Sequence, residues 1–142
     1  MKVAHLPSLG LVILLAAGVA CGQHGTSARE SLTQALPADE VKILSRVARE
    51  YGLEGDKLKL LLAIRKVENG GPGIEMGVAS DFPRHRARRH AGDSAKSLRV
   101  QAQWAAGTIR KHYTGDLDAF AKRYCPPKWE HWRNLVSHWM KR

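Results

Sequence analysis

Leu60-Leu61-Leu62-Ala63-Ile64-Arg65-Lys66-Val67-Glu68-Asn69-Gly70-Gly71-Pro72-Gly73 is the stretch that decides how the chain is read. Its apolar half has the spacing of a helix, and its glycine-rich half cannot continue one. Leu61, Ile64 and Glu68 fall at i, i+3 and i+7, on one helical face. A carboxylate therefore takes a place that the pattern reserves for a buried hydrophobe. Burial disfavours its charged form, and a helix C-terminus adds partial negative charge beside it. Those two effects suit a general acid working near neutral pH. The bland reading is a glutamate turned into solvent by about a third of a helical turn.

Outward from this stretch the chain reads as helix throughout, with no convincing strand, so the expected fold class is all-α. A first helix opens at Pro37, with Asp39 and Glu40 placed to complement its dipole. Val41, Leu44, Val47, Ala48 and Tyr51 form its apolar stripe, and Gly52 ends it. The second helix starts at Asp56, read as its cap. A third runs from about Ser94 to Tyr113, where Leu98, Ala102, Ala105 and Ile109 repeat and small residues allow close approach by a neighbour. Asp116 caps a short fourth helix that Pro126-Pro127 stops, and a fifth from Lys128 brings Trp129, Trp132, Val136 and Trp139 to one side. Between the second and third helices, residues 70–93 read as a long basic loop without regular structure, a kind of segment more often functional than idle.

The N-terminus is read as an address rather than as fold. Lys2 precedes the apolar run Leu9-Gly10-Leu11-Val12-Ile13-Leu14-Leu15-Ala16-Ala17, and Gly18-Val19-Ala20 supplies small residues at a cleavage point. The expected organisation is a signal peptide over 1–20, a polar tether over 21–36 and one helical domain over 37–142. The chain of 142 residues carries a formal charge of +10, and loss of Lys2 with the leader leaves nine. Such an excess favours an anionic envelope partner, and export argues against nucleic acid. Seven scattered histidines and two cysteines show no zinc spacing, so neither metal nor cofactor is expected.

Two resemblances sharpen this reading. Gly18-Val19-Ala20-Cys21 resembles the bacterial lipobox, although Gly18 stands where Leu is usual. That resemblance implies lipidation of Cys21 and a membrane held through the lipid, with Gly22 pointing to the outer membrane where a cell has one. Cys125 is then a lone thiol; without lipid on Cys21, a bridge between the two is open.

Ala63-Ile64-Arg65-Lys66-Val67-Glu68-Asn69-Gly70-Gly71-Pro72-Gly73, followed by Met76-Gly77-Val78, resembles the catalytic-glutamate segment of the lysozyme-like superfamily. The closest flavour is that of soluble lytic transglycosylase and phage-type muralytic domains. Gln101-Ala102-Gln103-Trp104-Ala105-Ala106-Gly107-Thr108-Ile109, then Phe120 to Pro126, then Trp132-Arg133-Asn134-Leu135-Val136 resemble the later helices of such domains. The likeness spans residues 37–139. Asn69 replaces a common serine, and the usual glutamine after Gly-x-Met is absent.

The resemblance implies cleavage of the β-1,4 bond in peptidoglycan glycan strands with Glu68 as acid and base and Tyr124 beside it. Asn69, Gly77, Gln101, Trp104, Arg84 and Arg86 are the expected substrate contacts. Glycoside hydrolysis ordinarily needs a second carboxylate. Glu75 and Asp81 are the nearest to supply it, although a turn residue and a loop cap are the plainer readings. Tyr124 could equally complete the core with Phe120, Gln101 could face water, and the tryptophans could be core rather than sugar platforms. The arginines of Phe82-Pro83-Arg84-His85-Arg86-Ala87-Arg88-Arg89-His90 suit planar anions or simple solvation. The alternative function is a non-enzymatic envelope protein that binds anionic polymer through this basic segment.

Overall fold

The computed structural model describes residues 30–78, 81–90 and 92–142, the side chains of Asp81 and Phe82 excepted. The expected signal peptide, lipidated Cys21 and first part of the tether lie outside the described residues. What is described is all-helical: α1 (Ala38–Glu50), α2 (Asp56–Glu68), α3 (Asp81–Arg88), α4 (Ser94–His112), α5 (Leu117–Tyr124) and α6 (Trp129–Met140), with a 3-10 turn at Pro126–Lys128. No helix among these residues is long and apolar enough to cross a membrane.

Local chemistry sets the helix ends. At the close of α1, Gly52 takes φ +65°, Leu53 N donates to Ala48 O at 2.8 Å and Gly52 N to Arg49 O at 3.2 Å. This is the paired bonding of a left-handed glycine stop, and the following Leu53 is buried as the motif favours. Asp93 caps α4 by accepting from Lys96 N, and Asp116 caps α5 by accepting from Ala119 N. Asp56 is not a cap. It is the first helical residue, and Gly55 precedes it at φ +53°.

α2 sits at the centre, packed against α1, α4 and α6. Every residue from Leu60 to Arg65 is buried, so this helix is apolar nearly all round instead of along one stripe. α4 lies against α1 and α3, and α5 against α6. Leu44, Val47, Leu61, Ile64, Ile109, Phe120, Trp132 and Val136 belong to one continuous core.

Two further expectations are corrected. The basic loop contains a helix, α3, whose fully buried Pro83 and Ala87 lie one turn apart. Proline is tolerated in a first turn, and His85, Arg86 and Arg88 complement the dipole at the other end. Composition hid it because arginine dominates the exposed face. Secondly, packing begins before Pro37. Leu32 and Leu36 are buried in the core, and Lys66 Nζ donates to Ala35 O at 2.7 Å. Residues 32–36 are therefore part of the packed body and not of a tether.

Candidate active site

Glu68 is the last residue of α2, and the chain turns at once. Asn69 caps the helix in the left-handed region at φ 43°, a conformation asparagine tolerates better than most residues. Asn69 is exposed there, and its backbone N–H returns to Arg65 O. The glycines that follow allow a tight ribbon. A side chain at Gly70 would strike the carbonyl of Ile74.

The Glu68 carboxylate is half-buried and held from two sides. Trp132 Nε1–H, from α6, donates to Glu68 Oε1 at 2.7 Å. Gly77, at φ +66°, lays its bare Cα against the same carboxylate, where any Cβ would collide with it. Trp132 is only 4% exposed, so its ring cannot serve as an open sugar platform. Its ring stacks on Tyr124 at 5.2 Å, and Tyr124 stacks on Phe120 at 5.4 Å. Sequence reasoning placed Trp132 on the apolar side of its helix and missed its bond to Glu68. The usable signal was the indole N–H, which needs an acceptor when buried.

Tyr124 stands beside the site without bonding the carboxylate. Its hydroxyl donates to Met76 O at 2.6 Å, which pins the ribbon immediately before Gly77. Burial, then the negative charge of Glu68, push its phenol well above the ordinary tyrosine range. Tyr124 is thus a neutral donor that positions the loop, and it joins the core through Phe120 as well.

The ribbon from Gly70 to Val78 is tied to two further helices. Gln101 of α4 is fully buried, where it reaches no substrate directly. Its Nε2 donates to Gly73 O at 2.9 Å and to Val78 O at 3.3 Å, and its Oε1 accepts from Val78 N at 3.2 Å. Ser97, one turn earlier, accepts from Gly73 N at 3.0 Å. Arg65 of α2 grips both Glu40 oxygens at 2.8 Å and also donates to Glu75 O at 3.3 Å. Charge-assisted two-point contacts of this kind fix geometry as well as adding energy.

Of the two second-carboxylate candidates, Glu75 is 5% exposed and folded back into its own loop, with Oε2 accepting from Gly73 N at 3.0 Å. Its other oxygen is buried without a hydrogen-bond partner among the described residues. The Asp81 side chain lies outside the described residues. No group of three or more His, Cys, Asp or Glu among the described residues is placed to hold a metal. Cys125 is a half-buried free thiol packed against the core.

The remaining expected contacts gather elsewhere. Trp104 and Arg86 line a groove between α3 and α4, and Arg84 is half-buried on α3. So Glu68, Gly77 and Tyr124 come together, Gln101 supports them from behind, and Trp104 with Arg86 forms a second locus. Comparison with known proteins finds no family model, no curated protein and no solved structure that matches this chain.

Proposed function

We propose that the chain is a lysozyme-like helical domain that cleaves peptidoglycan glycan strands, with Glu68 as the single acid and base. The observation that carries this reading is the Glu68 carboxylate at a helix end, bonded by Trp132 and laid against Gly77. A general acid needs a fixed direction for its proton, and these two contacts supply one.

In the proposed reaction, protonated Glu68 gives its proton to the glycosidic oxygen as the bond from that oxygen to the muramyl C1 breaks. The muramyl 6-hydroxyl oxygen then bonds to C1, and its proton returns to Glu68. The product carries a 1,6-anhydro ring and the enzyme is unchanged. Hydrolysis would use a second carboxylate near the cleaved bond, and the withdrawal of Glu75, one of the two candidates, into its own loop supports the single-carboxylate route.

The test is Glu68→Gln in the purified protein, incubated with peptidoglycan. The expected result is loss of soluble fragments with wall binding retained. Equal release by variant and wild type would end the assignment. Mass spectrometry of the fragments separates the two chemistries, since hydrolysed ends carry one more water than anhydro ends.

A further inference from the structure

Trp104, Thr108 and Lys111 fall at i, i+4 and i+7 of α4, one face of that helix, and α3 brings Arg86 to the same face. Together with Tyr51, Gln103 and His112 they line a groove of about 510 Å³. That volume lies inside the range of about 300–1,000 Å³ typical of small-molecule sites. None of Glu68, Gly77, Tyr124 or Trp132 lines it.

Its chemistry is one-sided. Two basic side chains, Arg86 and Lys111, are exposed and line it, and no carboxylate lines it among the described residues. Desolvation, then the charges of Arg123 and Lys111, hold the His112 imidazole below the ordinary histidine range. Positive charge is thus in excess around a mixed surface, an arrangement that an arriving anion relieves. Beside these cations the Trp104 indole is 42% exposed and lines the groove with apolar surface. Gln103 and Tyr51 add neutral hydrogen-bonding groups suited to hydroxyls.

We propose that this groove binds an acidic sugar unit, a pyranose bearing a carboxylate or a phosphate, at a site separate from Glu68. The apolar face of the ring lies on Trp104, the anionic substituent meets Arg86 and Lys111, and ring hydroxyls meet Gln103 and Tyr51. The proposal stands whether or not Glu68 cleaves anything.

The test is an NMR titration of the full chain, following the Trp104 indole N–H signal, assigned by its loss in W104F. Glucuronic acid and glucose 6-phosphate are compared with glucose, inorganic phosphate and adenosine monophosphate. Both acidic sugars, or one of them, are expected to bind at least about tenfold more tightly than glucose or phosphate. R86A/K111A is expected to remove that advantage while E68Q keeps it. Should the double variant lose its helical signal, the single reversal K111E gives the same readout. Equal binding of glucose, equal binding of phosphate alone, tighter binding of the nucleotide, no binding, or an unaffected double variant would each overturn the proposal.

Discussion

The Trp132 indole donates to Glu68 across a sequence separation of 64 residues, at 2.7 Å. Replacing it by phenylalanine keeps a ring to stack on Tyr124, removes the donor and leaves part of the buried indole's volume unfilled. A hydrogen bond to a charged group contributes about 1.5–3 kcal/mol. W132F is therefore expected to lose at least that much stability by urea denaturation, the unfilled volume adding to the lost bond. Release of peptidoglycan fragments should slow by about tenfold or more, because the carboxylate is no longer aimed. An unchanged rate would show that the bond is purely structural.

Gly77 and Gly52 make a matched pair. Both hold φ near +65°, but a Cβ at Gly52 meets nothing within 4 Å whereas one at Gly77 meets the Glu68 carboxylate. G52A should cost about 1–2 kcal/mol, the strain of a left-handed alanine. G77A should cost more than that and should also abolish cleavage. Equal losses in the two variants, with activity intact, would mean that the Gly77 contact is immaterial.

Gln101→Leu fills the same space without bonding Gly73 or Val78. Unsatisfied buried groups cost about 1–3 kcal/mol each, so a total loss of roughly 2–4 kcal/mol is expected. Amide exchange at Val78 should accelerate well before global unfolding. Protection at Val78 equal to that of wild type would count against a bracing role.

Tyr124 makes a prediction about alkaline pH. Its phenol titrates higher in the folded chain than in the unfolded one, chiefly through burial and then through the Glu68 charge. The folded state therefore keeps a proton that the unfolded state releases above about pH 10. That contribution to stability is complete below the unfolded value and is lost as pH rises beyond it, by up to about 1.4 kcal/mol per pH unit. Y124F lacks it, so its stability should fall less steeply between pH 9 and 11. Tyr113, also raised by burial, remains in both proteins and leaves the difference interpretable.

Helix content was legible wherever apolar spacing was strong. Leu44, Val47 and Ala48 on α1, and Trp132 and Val136 on α6, are buried as their spacing implies. The helix at Asp81–Arg88 was illegible because, among its described side chains, only Pro83 and Ala87 mark the inner face, too few for a period. The position of Glu68 at a helix end was readable from Gly70-Gly71 after it, but its partner was not, since nothing local announces Trp132. Gln101 was misplaced for a related reason. A polar residue at helical spacing reads as surface unless one knows that a glycine ribbon lies over it.

That ribbon has a consequence for handling the protein. Gly70-Gly71-Pro72-Gly73 has the small-residue composition of loop tips, and loop tips are where proteolytic nicking concentrates. Yet clasps from Arg65, Ser97, Gln101 and Tyr124 fasten the segment from three different helices. Nicking needs a locally unravelled backbone, so this ribbon should survive in the intact protein. Loosening any one clasp should turn it into the weakest link of the fold.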